Sequence, residues 1–197
     1  MRVAVLATLA TALIGQAAAQ LPFKFGSPTF FGSGCPAGTV RLVPSTDGQT
    51  FSVLFSAYNA QTSSSSTRQR KSCNLAVPVD VQPGFSVAIF KVDYRGNVYV
   101  GGNDGSNARF DTEYFFAGSR GPSSNAKWDK AIDDNVLLTV DAAAIVWSPC
   151  GASTNFRVNS AITAFKPSPS ASDVQIAIDS ADATTGGFRY YVQYQQC

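Results

Sequence analysis

The sequence predicts an all-β domain, a jelly-roll-like antiparallel β-sandwich with seven to nine short strands and little helix. Hydrophobic and polar residues alternate over many short stretches, which is the period of a half-buried strand. Turn signals rich in Gly, Pro and Asp recur about every ten residues, a spacing typical of sandwiches and jelly rolls. No amphipathic pattern of about ten or more residues predicts a helix.

The first predicted strands, residues 39–43 and 51–58, flank the turn Asp47-Gly48, and we expect them to pair as a hairpin. Gln82-Pro83-Gly84 has the residues of a type II turn, and Arg95-Gly96-Asn97 is predicted to be another turn. The remaining strands are predicted at residues 75–81, 85–94, 98–100, 109–116, 137–147, 156–165, 174–178 and 188–194.

Three stretches are predicted to lie outside the strands. Thr62 to Lys71 is a polar, Ser-rich loop, and Ser119 to Asp134 is a long connection with one helical turn near Trp128. Residues 20–34 are an extended arm whose phenylalanines should lie against the domain, since apolar surface is rarely left exposed. Residues 35–197 then form a single β-sandwich domain of ordinary size.

The first 19 residues have the pattern of a secretory signal peptide, with Arg2, an apolar stretch at residues 3–14 and the small residues Ala17-Ala18-Ala19. The apolar stretch is too short to cross a bilayer about 30 Å thick. We therefore expect cleavage after Ala19 and a secreted, extracellular monomer, in the apoplast or cell wall, without membrane contact.

Cys35, Cys73, Cys150 and Cys197 are an even set, which in a secreted protein favours two disulfides over metal ligation. Four cysteines allow three connectivities. The predicted hairpin brings Cys35 near the loop that ends at Cys73, and a last strand paired with residues 156–165 returns Cys197 toward Cys150. This strand pattern favours the pairs Cys35–Cys73 and Cys150–Cys197.

The chain has no histidine, and only 14% of its residues are charged. A Ser-His-Asp triad, a Cys-His pair and a His-bound metal are therefore excluded, and we expect no metal site and no cofactor. The 15 basic and 13 acidic side chains nearly balance, whereas nucleic-acid binding usually requires a strongly basic face. We expect no nucleic-acid partner.

Several phrases of this chain occur together in a specific order. They are GCPAGTV (residues 34–40), FSVLFSAY (51–58), KSCNL (71–75), PGF (83–85), VDYRG (92–96), WSPCG (147–151) and DSAD (179–182), before an aromatic strand closed by Cys197. In this combination the chain resembles a family of secreted, mostly fungal proteins known as domain of unknown function 4360, over about residues 34–197. The resemblance implies a β domain cross-linked by disulfides. It points to no established catalytic residues. One difference from the family pattern is residue 194, which is Tyr where we expect Trp in relatives.

Asp93, Tyr94 and Arg95 are the first candidate binding residues, because they end a predicted strand at a loop, where ligands commonly bind. The favoured alternative is a tight turn with Gly96 at positive φ, in which Asp93 accepts hydrogen bonds from the turn N–H groups.

Asp179 and Asp182, together with Asp173, are the second candidate. Paired carboxylates serve as acid and base in glycoside cleavage when they lie about 5–10 Å apart, and carboxylates also bind Ca²⁺. The favoured alternative is a loop that hydrogen-bonds to its own backbone. The loop from Gly102 to Asn107 is another possible calcium-binding loop by composition. It lacks the twelve-residue pattern with a terminal Glu that is typical of calcium loops.

Exposed aromatic residues are the third candidate, since Tyr and Trp make rigid contacts with sugars or proteins. Because side chains alternate between the two faces of a strand, we expect one of Tyr190 and Tyr191 to face outward. We choose Tyr191 as the candidate binding residue. The fourth candidate is the basic cluster Arg68, Arg70 and Lys71, next to a Ser/Thr tract. This loop would contact an anionic polymer such as pectin, carry O-linked glycans or be cleaved by a protease specific for basic residues; a disordered surface loop is the favoured interpretation.

These observations favour an extracellular binding or effector module that contacts a host protein or a cell-wall polysaccharide. One alternative is a carbohydrate-active enzyme, hydrolase-like or lyase-like, that uses carboxylates. The other is a structural cell-wall protein. The sequence leans away from an enzyme because no acidic residue lies in a recognisable catalytic motif.

Overall fold

The computed structural model describes residues 21–178 and 187–197, with the backbone alone described at residues 142–145. The expected signal peptide, residues 1–19, and the candidate carboxylates Asp179 and Asp182 lie outside the described residues. The described residues contain thirteen strands and no helix, which confirms the predicted all-β class. They are β1 (Phe23–Phe25), β2 (Thr29–Phe31), β3 (Val40–Pro44), β4 (Thr50–Phe55), β5 (Tyr58–Gln61), β6 (Arg68–Val81), β7 (Phe85–Val100), β8 (Asn107–Phe116), β9 (Ser123–Trp128), β10 (Ile132–Trp147), β11 (Thr154–Phe165), β12 (Val174–Ile178) and β13 (Phe188–Gln196).

The strands form two antiparallel sheets. Sheet A has the order β1-β6-β11-β8-β9, and β2 lies beside β1 on the same edge of β6. Sheet B has the order β3-β4-β13-β7-β12-β5, and β10 pairs with the other edge of β7. The strands β13 and β12 follow each other along one edge of β7, at residues 85–94 and 97–100.

The core lies between the sheets and combines aliphatic side chains with a cluster of aromatic rings. Phe156 of sheet A contacts Phe51 and Tyr190 of sheet B, with ring centroids 5.9 and 5.2 Å apart. Phe188 of sheet B likewise meets Phe110 of sheet A at 5.8 Å. Burying a side chain of this size stabilises a fold by about 1.5–3 kcal/mol, so these contacts hold the two sheets face to face.

The strands differ from the predicted ones in three places, and the first two raise their number to thirteen among the described residues. The arm contributes β1 and β2, whose backbones pair with β6. Residues 119–134 contain β9 and the start of β10 instead of a helical turn, because β9 pairs with β8 along its length. The strand β6 begins inside the stretch predicted as a loop, since polar side chains are compatible with a strand whose outer face is solvated.

Two predicted turns are confirmed. The strands β3 and β4 pair as the expected hairpin, with Gly48 at a φ of +67°. At the turn before β7, the N–H of Phe85 donates to the carbonyl of Gln82 at 3.2 Å and Gly84 has a φ of +81°. A positive φ at the third turn position is the mark of a type II turn.

Both expected disulfides are present, and they join Cys35 to Cys73 and Cys150 to Cys197. The strand pairing behind the second one differs from the prediction, because β13 pairs with β4 and β7 and not with β11. Cys197 instead reaches the start of β7, where its N–H donates to the carbonyl of Gly84 at 3.0 Å.

In the described part of the chain, no helix is long and apolar enough to span a membrane.

Candidate functional site

The outer face of sheet A carries a polar groove of about 560 Å³ across β6, β11, β8 and β9. Outward side chains of these strands lie side by side because the pairing registers align them, and such neighbours have Cβ atoms about 5 Å apart. The first row across the groove is Asn74, Asn159, Glu113 and Ser123, and the second is Ser72, Ala161, Asp111 and Asn125. The small side chains of Ser72 and Ala161 leave room between the longer ones.

The groove contains two carboxylates with different surroundings. Asp111 accepts two bonds from the guanidinium of Arg109, from Nε at 2.8 Å and from Nη2 at 2.6 Å, and both reach its Oδ1. This pairing raises the pKa of Arg109. The carboxylate of Glu113 forms no hydrogen bond or ion pair with any residue that the structure describes. Glu113 and Oδ2 of Asp111 are therefore open to the hydroxyl groups of a ligand.

The groove continues into a second cavity of about 480 Å³ with both polar and apolar lining residues, and the two share Asn74 and Asn159. The ring of Phe31, on β2, lines this end and is 79% exposed. Phe115 and Arg157 line it as well. The exposed face of this ring is available to pack against a ligand at the end of the polar groove.

The position of Phe31 is determined by the arm. Phe31 lies opposite Asn74 in the β2–β6 pair, and its carbonyl accepts a hydrogen bond from the Asn74 amide at 3.4 Å. The next residue, Gly32, has a φ of +140°, and a Cβ there would collide with the carbonyl oxygen of Ser72. The Cys35–Cys73 disulfide then ties the end of the arm to β6.

The predicted turn at Arg95-Gly96-Asn97 is wrong, because β7 runs without interruption through these residues and pairs with β10 there. Asp93 therefore lies within a strand, on the outer face of sheet B, and not at a loop. It accepts hydrogen bonds from the hydroxyls of Tyr191 and Thr139, each at 2.8 Å.

The candidate residues on sheet B form a closed network. Asp93 is only 4% exposed, and the Lys91 ammonium lies 3.8 Å from its Oδ1 and 4.8 Å from the centre of the Tyr191 ring. Burial and the bond to Asp93 raise the pKa of Tyr191, so its hydroxyl stays a donor. Arg95 lies two positions from Asp93 on the same face. Since both carboxylate oxygens already have protein donors, this cluster stabilises the sheet and offers little to a ligand.

Tyr94 does not join this cluster, because it points into the core. Its side chain is buried, and its hydroxyl accepts a hydrogen bond from Thr112 at 3.1 Å. Burial raises the pKa of Tyr94. Alternation along β7 explains the difference, since neighbouring residues of a strand face opposite sides.

Two other acidic residues, Asp173 and Asp104, form local contacts. Asp173 forms an ion pair with buried Lys166 at 2.7 Å. Asp104 accepts the backbone N–H groups of Ser106 and Ser172, and these bonds lower its pKa. Within residues 21–178 and 187–197, no three His, Cys, Asp or Glu side chains are grouped so as to hold a metal ion.

Sequence reasoning missed the groove, although its signal is present. Alternate positions of β6 and β8 carry Ser72 and Asn74, and Asp111 and Glu113, which is the polar face of each strand. The pattern shows that these residues face outward, but it does not say which strands are neighbours.

Comparison with known proteins supports the resemblance noted in the sequence. An uncharacterized secreted protein of Arthroderma benhamiae is 32% identical over 174 residues, which cover 86% of this chain and 69% of that protein. This relative confirms the prediction that the chain is secreted.

A carbohydrate-binding module solved in complex with β-1,4-galactotriose aligns with 85% of this chain and 88% of its own, at 10% identity and a TM-score of 0.35. A similarity this low says nothing about the ligand of this chain. The family described as Domain of unknown function (DUF4360) matches residues 23–197. With nearly all of the described residues inside that match, the chain belongs to the DUF4360 family.

Proposed function

We propose that this protein is an extracellular binding module that holds a cell-wall polysaccharide along the outer face of sheet A. The observation that carries the proposal is exposed Phe31 at one end of a groove lined by Asn, Ser, Asp and Glu side chains. Sugar rings have an apolar face that packs on an aromatic ring and a rim of hydroxyls that bind carboxylates and amides.

The composition of the groove favours a polysaccharide over a host protein. The centre of a protein–protein interface is depleted in charged residues and enriched in aromatic ones. Here the centre holds Asp111, Glu113 and Asn159, and the exposed aromatic ring lies at the end. A shallow surface with many separate hydrogen-bonding groups suits a chain of repeated hydroxylated units.

A second candidate function is hydrolysis of the bound chain. Asp111 and Glu113 are successive outward residues of β8, and such residues are about 7 Å apart along a strand. Glycosidases use two carboxylates at a comparable separation. We favour binding because Oδ1 of Asp111 is already occupied by Arg109.

The experiment is titration of the purified protein with a panel of plant and fungal wall polysaccharides, together with an assay for new reducing ends. We expect binding to at least one polysaccharide, and about tenfold weaker binding by Phe31→Ala, which corresponds to about 1.4 kcal/mol. Phe90→Ala is the matched control, since Phe90 is an exposed phenylalanine on sheet B.

Failure to bind any member of the panel, or equal losses in Phe31→Ala and Phe90→Ala, would overturn the proposal. Release of reducing ends that is lost in Glu113→Gln would assign hydrolysis instead.

A further inference from the structure

We propose that the sheet A groove selects an acidic polysaccharide, one whose sugar units carry carboxylates, over a neutral chain of the same backbone. This inference rests on the proposed polysaccharide binding and adds the chemical class of the ligand. Its basis is the distribution of arginine side chains at the two ends of the groove.

The first cationic end lies where β6 begins. Arg70 lines the groove and belongs to a row that continues through Thr163 and Arg109 to Lys127. Arg68, two residues before Arg70, is also exposed. The segment predicted to be a loop forms the start of β6 here, so the backbone positions of Arg68 and Arg70 are fixed within the sheet.

Carboxylates of the protein neutralise only part of this row. Asp111 pairs with Arg109, and Asp129 pairs with Lys127 at 3.2 Å. Among the described residues no carboxylate forms an ion pair with Arg70. Its guanidinium is therefore available to an anion from solution.

The second cationic end lies beside the exposed Phe31 ring. Arg157 of β11 lines the second cavity, and among the residues that the structure describes it has no carboxylate partner either. Arg157 and Thr163 are six residues apart on β11, which is about 20 Å along a strand. Because Arg70 lies beside Thr163, the Cα atoms of the two unpaired arginines flank the groove at a comparable separation.

Glu113 lies between these two ends and carries the opposite charge. It repels a carboxylate at the middle of the groove and accepts sugar hydroxyls there, so ligand carboxylates are directed to the ends. A guanidinium group binds a carboxylate through two parallel N–H bonds, a geometry that a neutral ester does not offer to the same degree. A polymer with repeated carboxylates satisfies both ends at once.

The test compares binding of polygalacturonate, its fully methyl-esterified form and a neutral galactan at low and high salt. We expect the wild-type protein to bind polygalacturonate about tenfold tighter than the ester at low salt, with the preference reduced at high salt. Arg70→Gln and Arg157→Gln should each lose about tenfold for the acid and little for the ester. Arg41→Gln, an exposed arginine on sheet B, is the matched control and should leave both affinities unchanged. Unfolding temperatures measured for all variants identify any that fail to fold.

Equal affinity for the acid and the ester, with Phe31→Ala weakening both, would overturn the acidic selectivity and leave the proposed function standing. Absence of binding to all three polymers and to the wider panel would overturn the proposed function itself. Tighter binding to a sulfated polysaccharide than to polygalacturonate would overturn the carboxylate assignment.

Discussion

The hydroxyl of Tyr191 donates a 2.8 Å hydrogen bond to Oδ2 of Asp93, across the pair of strands β13 and β7. Thr139, on β10, donates to Oδ1 of the same carboxylate. One nearly buried carboxylate thus joins three neighbouring strands on the outer face of sheet B. A buried charge is tolerated only when it is hydrogen-bonded, which indicates that this contact stabilises the sheet.

Removing either partner should therefore lower stability without affecting polysaccharide binding. We expect Tyr191→Phe to reduce the free energy of unfolding by about 1.5–3 kcal/mol, the range for a hydrogen bond to a charged group. A double-mutant cycle with Asp93→Asn, followed by urea unfolding, should give a coupling energy of about 1 kcal/mol. Tyr194→Phe is the control, because Tyr194 is half exposed. Additive effects of the two substitutions would contradict the assigned contact.

Buried tyrosines make the fold sensitive to alkali. Burial is the main cause that raises the pKa of Tyr58, Tyr94 and Tyr190 above their ordinary value of 10.0. The unfolded chain releases these protons at lower pH than the native protein does, so stability is fully present below about pH 10 and falls above it.

This dependence is measured by titrating tyrosinate absorbance and circular dichroism together. The part of the tyrosinate absorbance that comes from the buried tyrosines should rise together with the loss of native circular dichroism above about pH 10, because ionisation of the buried tyrosines requires unfolding. Tyr190→Phe, which removes one buried phenol, should make the loss of stability with pH less steep. Ionisation of all tyrosines with native circular dichroism would be inconsistent with this account.

The two disulfides should differ in their resistance to reduction. The chain-entropy relation predicts about 4 kcal/mol for each, since they close loops of 38 and 47 residues. Cys35 and Cys73 are buried, whereas Cys150 and Cys197 are exposed. Thiol–disulfide exchange requires access to the sulfur, so mild reductant should open Cys150–Cys197 first.

Alkylation of the native protein after brief reduction, followed by mass spectrometry, measures the order of opening. A paired Cys35→Ser and Cys73→Ser variant should also lose affinity for polysaccharide beyond its loss of stability, because that disulfide holds the arm that carries Phe31. The Cys150→Ser and Cys197→Ser pair is the matched control. Simultaneous labelling of all four cysteines would refute the predicted order.

The close approach of Gly32 to Ser72 allows a test of the arm. Gly32→Ala places a Cβ against a backbone carbonyl at a φ that L-residues rarely adopt, so it should displace Phe31 and weaken both stability and binding. Gly38→Ala is the control, since Gly38 has a φ of +81° but a Cβ there would meet no described atom within 4 Å beyond its chain neighbours. We expect about 1–2 kcal/mol of lost stability for Gly38→Ala and more for Gly32→Ala, measured by thermal unfolding. Equal losses of stability and binding in the two variants would count against the role assigned to Gly32.

Local patterns account for the predictions that the structure confirms. Alternation at the period of two identifies strands wherever one face is buried, and it correctly predicts that one of Tyr190 and Tyr191 faces outward. The structure buries Tyr190 and leaves Tyr191 partly exposed. The Pro83-Gly84 turn follows from the backbone preferences of those two residues. The predicted turn at Arg95-Gly96-Asn97 is wrong because pairing with β10 keeps a locally flexible segment in the strand.

By itself, the sequence determined the secreted all-β class, the presence of two disulfides and the side of the sheet on which most residues lie. Only the tertiary structure decided that Asn74, Glu113 and Asn159 share one groove, and that Phe31 lies at its end. The physical reason is that the alternation period assigns a face to each residue but no neighbour. Register and strand order depend on how the aromatic core packs between the sheets, through contacts far apart in the chain.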